Sequence, residues 1–234
     1  LMKSRNESMN VHSFSLLKMA TSDPIALDAV THVGQDHDFQ FRILNRRIGA
    51  DLQTLGRQFA VVGGLAISAV AEPRLTREAD VAVSVADDRD AEALIRQLTT
   101  LGYSVLATVE QQQTDRLSTV RLQHHQATGV VTDLLFASSG IEPEVVAAAQ
   151  GLTIIPGLEL PVARVGHLIA MKLLSRDDRA RPNDADDLRA LRQIAVEDDW
   201  RLAAKGVQLI MERGYGRDRA LDSSLSDLRL NDAY

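Results

Sequence analysis

Two acidic side chains stand two residues apart, at Glu78 and Asp80, in a segment where Ala79, Val81, Val83 and Val85 take the alternate positions. A period of two is the signature of a strand, so Glu78, Asp80 and Ser84 share one face and the apolar residues share the other. Carboxylates placed this way are close enough to hold one divalent cation. Hard cations such as Mg2+ take oxygen ligands, and triphosphate oxygens can complete the shell. Unpaired buried carboxylates cost several kcal/mol, a conflict that a bound cation removes. The plainer reading is a solvated strand edge.

Other groups fall into line with that pair. Gly63-Gly64 ends one apolar run and opens another, so its bare backbone amides could approach phosphate oxygens at a helix N-terminus. Asp133 sits inside the apolar run Val130 to Phe136, where a solvated loop residue is not expected. Three acids on neighbouring strands would serve as a paired metal site, or as one metal site plus a base. Further on, Val165, Leu168, Ile169 and Lys172 recur at helical spacing, which puts the ammonium of Lys172 on an apolar face in need of an anionic partner. Arg176 and Arg179 would continue that face, along which a triphosphate or an RNA backbone could lie, unless they pair with Asp177 and Asp178. That face offers no evident protein counter-ion, so Lys172→Ala is expected to leave the fold intact. Asp184 reads as an N-cap. Asp187 borders a buried stripe, where it would pair with Lys172 or orient a substrate hydroxyl. His124 and His125 read as an exposed polar turn, and His167 as structural.

These residues need a frame. Residues 1–38 are a polar N-terminal extension, and Phe41, Leu44, Ile48, Leu52 and Leu55 then mark an amphipathic helix. Strands are expected at Phe59 to Val62, Glu78 to Val85, Tyr103 to Val109, Leu117 to Leu122 and Val130 to Phe136. Helices are expected at Leu65 to Val70, Asp90 to Leu101 with Gly102 as its stop, and Pro143 to Ala149. Leu152 to Leu160 reads as one extended segment. Pro161 then opens an all-helical remainder with helices at 164–176, 184–195, 200–213 and 220–230. An α/β half, 39–160, is thus joined to a helical half, 161–234.

Composition narrows the partners. The 234 residues are 45% hydrophobic and 25% charged, which favours a globular chain. A net charge of −6 argues against coating nucleic acid by overall positive charge, and 4% aromatic residues argue against a stacking platform, although local basic patches remain open. The absence of cysteine fits a reducing cytoplasm. The apolar residues of Leu1 to Ala20 are too interrupted for a signal peptide. The longest uncharged apolar run, Phe59 to Ala71, falls well short of the ~20 residues of a membrane span. The expected location is cytoplasmic, with no membrane partner.

Taken in order, three segments resemble the AbiEii-type nucleotidyltransferases of the DNA polymerase β superfamily: Phe59-Ala60-Val61-Val62-Gly63-Gly64-Leu65-Ala66-Ile67-Ser68, Pro73-Arg74-Leu75-Thr76-Arg77-Glu78-Ala79-Asp80-Val81, and Thr132-Asp133-Leu134-Leu135-Phe136. Leu168 to Arg176, with Asp184-Ala185-Asp186-Asp187-Leu188, is similar to that family's lysine and terminal aspartate motifs. The ordered set is far more specific than any one member. The resemblance implies an α+β architecture, a mixed-sheet nucleotidyltransferase domain followed by a helical C-terminal region that completes the active site. It implies Mg2+-assisted transfer of a nucleotide from an NTP; the longer arm of Glu78, which Mg2+ would tolerate poorly, adds Mn2+ as an alternative ion. Some members are toxins of toxin–antitoxin pairs that modify tRNA, so tRNA or another RNA as acceptor and a cognate antitoxin are implied too. By position, Gly63 and Gly64 would contact the triphosphate, with Thr76 beside it. Glu78 and Asp80 would hold metal, with Asp133 as the third strand carboxylate. Lys172 would bind phosphate, with Arg176 further along the same motif, and Asp187 matches the terminal aspartate. The family usually has Asp where this chain has Glu78. The rival readings are a small-molecule, antibiotic-type nucleotidyltransferase and a degenerate nucleotide-binding domain without turnover.

Overall fold

The computed structural model describes residues 46–71, 78–127, 130–155, 157–177 and 183–230. Thr76, Arg179, Asp178 and the extension 1–38 lie outside them, as do Phe41 and Leu44 of the first helix. That helix, α1 (46–54), buries Ile48 and Leu52 as its spacing requires.

Among the described residues, seven strands form one mixed sheet in the order β3-β4-β5-β2-β1-β7-β6. β1 (Phe59–Val62) is buried at every position, as a central strand flanked on both sides should be. β2 (Glu78–Val83) runs antiparallel to β1 and parallel to β5 (Val131–Leu135), which in turn pairs antiparallel with β4 (Arg116–His124). β3 (Tyr103–Gln111) is the outer partner of β4 and is exposed along most of its length. Between the strands lie α2 (Gly63–Val70), α3 (Asp88–Thr100) and α4 (Glu142–Ala147). α3 begins at Asp87, whose carboxylate accepts the Asp90 amide at 2.9 Å, and buries Ala91, Leu94 and Leu98.

The segment expected to be one strand is a hairpin, β6 (Gln150–Ile155) and β7 (Leu158–Val162). Gly157, at φ +79°, turns the chain, and Ile155 pairs with Leu158 across it. The Pro156-Gly157 punctuation inside the apolar run carried that signal. Pro161 therefore lies within β7 rather than opening the helices. Its missing N–H is tolerated because β7 is registered against β1 only at Val61↔Val162.

The remainder is helical: α5 (Val165–Ser175), α6 (Asn183–Ile194), α7 (Glu197–Glu212) and α8 (Leu221–Leu230). α5 and α7 approach closely because small residues meet between them. A Cβ on Gly206 would stand 3.0 Å from the Ala170 Cβ, and one on Gly166 would stand 2.7 Å from the Leu202 Cβ. This crossing anchors the helix that carries Lys172. His124, expected to be exposed, is buried at the end of β4, with its ring 4.8 Å from that of Tyr103 and its Nε2 3.2 Å from the Leu101 carbonyl oxygen. His125 alone takes the turn. His167 is buried, and its Nδ1 has no hydrogen-bond partner among the described residues.

Candidate active site

Register assembles the site. Asp80 lies opposite Val62 on β1 and opposite Asp133 on β5, and Asp133 lies opposite Arg121 on β4. Partners directly across a sheet point to the same face, so one row spans four strands. Glu78, two residues before Asp80, joins that face. Glu78, Asp80 and Asp133 each offer a carboxylate oxygen within 4.8 Å of the others. Oxygens this close together could hold a hard divalent cation.

Arg121 is the residue that the sequence did not single out. Its Nε and Nη2 donate to the two oxygens of Asp133 at 2.8 and 2.7 Å, and Nη2 stands 3.2 Å from Glu78 Oε1. The hydrogen bonds from Arg121 to Asp133 hold its guanidinium above the usual arginine range, with the Glu78 and Asp80 charges adding to the effect. The available signal was weak. Arg121 alternates with Val120 and Leu122, but only the register shows which acid it meets.

Gly63 serves this row directly. It has φ +61°, and a Cβ there would sit 2.7 Å from the Asp80 Cγ, so neither the backbone nor the space admits a side chain. Behind it, α2 begins with no side-chain cap bond and no acid in its first turn. Its first amides thus face the cleft with the positive end of the helix dipole.

Helices close the opposite wall. Lys172 on α5 donates to Asp184 Oδ1 at 2.9 Å and lies 2.9 Å from Asp187 Oδ2. Asp184 also accepts the Asp177 amide at 3.2 Å. These two carboxylates overturn the expectation that the lysine face has no protein counter-ion. They also recast Asp184, which lies one residue inside α6 and turns to Lys172. Arg176 falls just beyond α5, which ends at Ser175, and it is not part of the cleft wall. Its expected place one turn further along the lysine face would have needed the helix to continue.

Between the walls runs a cleft of about 960 Å³, lined by Gly63, Gly64, Glu78, Asp80, Arg121, Asp133, Lys172, Asp184 and Asp187 among others. Ser138, Ser139 and Arg217 line it as well. Arg217 Nη2 donates to the Ser138 carbonyl at 2.9 Å from a backbone at φ +51°. His167 stays outside the cleft wall. Burial lowers its pKa to about 4, helped by the Arg164 charge, so it is neutral near pH 7.

The family model for "Nucleotidyl transferase AbiEii toxin, Type IV TA system" matches residues 42–233, well over half of the chain. The protein belongs to that family of nucleotidyltransferases. No curated protein matches its sequence. Among solved structures, it is similar to an antigenic nucleotidyltransferase-like protein from Paracoccidioides brasiliensis, at 15% identity and TM-score 0.49 over 80% of this chain and 92% of that one. It is also similar to the antibiotic-resistance factor ANT(2'')-Ia, at 13% identity and TM-score 0.44 over 82% of this chain and 90% of that one. A third is the lincomycin-bound lincosamide antibiotic adenylyltransferase LnuA, at 14% identity and TM-score 0.39 over 66% and 95%. Likeness this distant transfers no acceptor. Among the described residues, no helix is long and apolar enough to cross a membrane.

Proposed function

We propose that the protein transfers a nucleotide from an NTP to an RNA acceptor such as tRNA, in a reaction that depends on Mg2+ or Mn2+, as the cytoplasmic toxin of a pair with a cognate antitoxin. The observation that carries the reading is the convergence of Glu78, Asp80 and Asp133 within 4.8 Å, on the cleft that also holds Gly63, Gly64 and Lys172. Glu78 and Asp80 would hold the cation with Asp133 beside them. When bound, such an ion neutralises triphosphate charge and polarises the phosphoryl group under attack. The α2 amides at Gly63 and Gly64 bind phosphate oxygens, and Lys172 adds a cation on the facing wall. Asp133 takes the proton of the attacking hydroxyl, and Asp187 orients Lys172. The acceptor oxygen bonds to the α-phosphorus as the bond to pyrophosphate breaks. Thr76 and Arg176 belong to the triphosphate side of this reading through the family motifs alone.

One observation favours a second reading. The cleft wall carries five acids, Glu78, Asp80, Asp133, Asp184 and Asp187, against the cations Arg121, Lys172 and Arg217. An acidic cleft suits a cationic small acceptor better than a polyanion. Incubation with each α-labelled NTP and Mg2+ or Mn2+, in the presence of total RNA or of a mixture of aminoglycosides, separates the two. Label on RNA is the expected result. Label only on the small molecules would replace the RNA acceptor, and NTP binding without pyrophosphate release would make the chain a degenerate relative.

A further inference from the structure

We propose that Arg121 stands in the carboxylate triad where a second divalent cation would otherwise bind, so that the loaded site holds one metal ion, carried on the triphosphate between Glu78 and Asp80. The inference rests on the nucleotidyltransferase reading of the cleft and settles which of two arrangements three carboxylates adopt: a paired-metal site, or one metal and one separately held acid.

The geometry argues for the second. Both oxygens of Asp133 receive a hydrogen bond from the same guanidinium, and a third contact from it reaches Glu78. A planar fork on a carboxylate is the strongest form of this pairing, and arginine cannot shed its charge to make way for an ion. Arg121 and Asp133 are directly opposite in the β4–β5 register, so the pairing comes from the sheet itself rather than from a movable loop. A second cation bridging Asp133 to its neighbours would have to break those bonds and lie within a few ångströms of a fixed positive charge. Like charges that close repel, the more so where the cleft walls shield them from water. Asp80 is arranged otherwise. Its Cγ fits against the bare Cα of Gly63, at the end of the row nearest the α2 amides where a triphosphate would lie. Glu78 Oε1 stands 3.2 Å from Arg121 Nη2, and with one more methylene than aspartate Glu78 would reach from the guanidinium to a cation beside Asp80. This offers a reason for glutamate at that position.

The test counts ions. Mn2+ is titrated into the full chain with a saturating mixture of the four nucleoside α,β-methylene triphosphates, and bound Mn2+ is read by electron paramagnetic resonance. The wild type should bind one ion per chain, and Arg121→Met should bind two. Arg121→Lys, which keeps the charge without the fork, should stay at one. Far-ultraviolet circular dichroism checks the fold of both variants. Two ions in the wild type, with nucleotide bound, would overturn the role given to Arg121 and leave the nucleotidyltransferase reading standing. A count of one in folded Arg121→Met would overturn it as well. Neither ion nor nucleotide bound by the wild type would overturn both. If the variants do not fold, the wild-type count decides.

Discussion

The two walls of the cleft hold their charges in opposite ways. On the helical wall the side chains of Lys172, Asp184 and Asp187 are 12, 5 and 3% exposed, and the ammonium sits 2.9 Å from each carboxylate. On the sheet wall Glu78, Arg121 and Asp133 are 48, 39 and 13% exposed, and the guanidinium contacts Glu78 and Asp133, with Asp80 close to both acids. The first cluster has its cation built in and is buried with it. The second is open to solvent at Glu78, and its three carboxylates lie close enough together to take up an ion from outside. A carboxylate group kept in water at the mouth of a cleft can exchange its counter-ion, whereas a buried one cannot without large cost. The same residue types therefore do different work: the helical cluster fixes the position of a cation, and the sheet cluster accepts one.

The largest expected effect lies on the buried side. Lys172→Ala leaves two buried carboxylates facing each other, and breaking a buried pair by removing one partner costs about 3–5 kcal/mol. For a chain of this size that lowers Tm by roughly 10 °C, measurable by scanning calorimetry. Adding Asp184→Asn and Asp187→Asn should restore a good part of it, because the neutral amides need no cation. An unchanged Tm in Lys172→Ala would remove the distinction between the two walls.

On the open side, substitution should cost activity rather than stability. Glu78→Asp keeps the carboxylate and shortens the arm, so Mg2+-dependent pyrophosphate release should be preserved or raised. The ratio of Mn2+ to Mg2+ activity should fall toward one, since Mg2+ tolerates a distorted shell poorly. A loss of activity above tenfold in Glu78→Asp would mean that the longer arm is required.

The sequence showed the acids better than their partners. Glu78 and Asp80 stand out because alternation with Ala79 and Val81 is local, and Asp133 stands out because apolar neighbours surround it. Lys172 was legible as a cation on an apolar face for the same reason. Apart from Asp187, offered by its helical spacing as one possible partner of Lys172, the partners depend on register and helix crossing, which no local pattern encodes. Arg121 meets Asp133 only through the β4–β5 pairing, and both aspartates of α6 reach Lys172 only through the α5–α6 packing. Most elements of the fold were readable from periodicity. The β6–β7 hairpin was read as one segment because apolar residues flank its Pro156-Gly157 signal on both sides, and His124 was misplaced because its cover, Tyr103, comes from another strand.

A smaller effect concerns His167, which belongs to neither cluster. Its pKa is lowered to about 4 in the folded chain against an ordinary value of 6.5. Between those values the unfolded chain binds the extra proton, so stability rises with pH there and is lost as pH falls from about 6.5 toward 4. His167→Gln should flatten that part of the Tm-against-pH curve while leaving Tm near pH 8 within a few degrees. An identical slope in the variant would assign the acid sensitivity to the carboxylates instead.

The central claim is that the open carboxylates of the sheet, and not the buried lysine cluster, make the nucleotide site depend on metal. The most direct measurement is isothermal titration calorimetry of nucleoside α,β-methylene triphosphates into wild type and Asp80→Asn, with Mg2+ or Mn2+ and with excess chelator. The wild type should bind only with the ion. Asp80→Asn should lose at least tenfold in affinity, about 1.4 kcal/mol, while melting no lower than wild type. If Asp80→Asn binds the metal–nucleotide as the wild type does, Glu78 and Asp80 are an ordinary solvated strand face and the account fails.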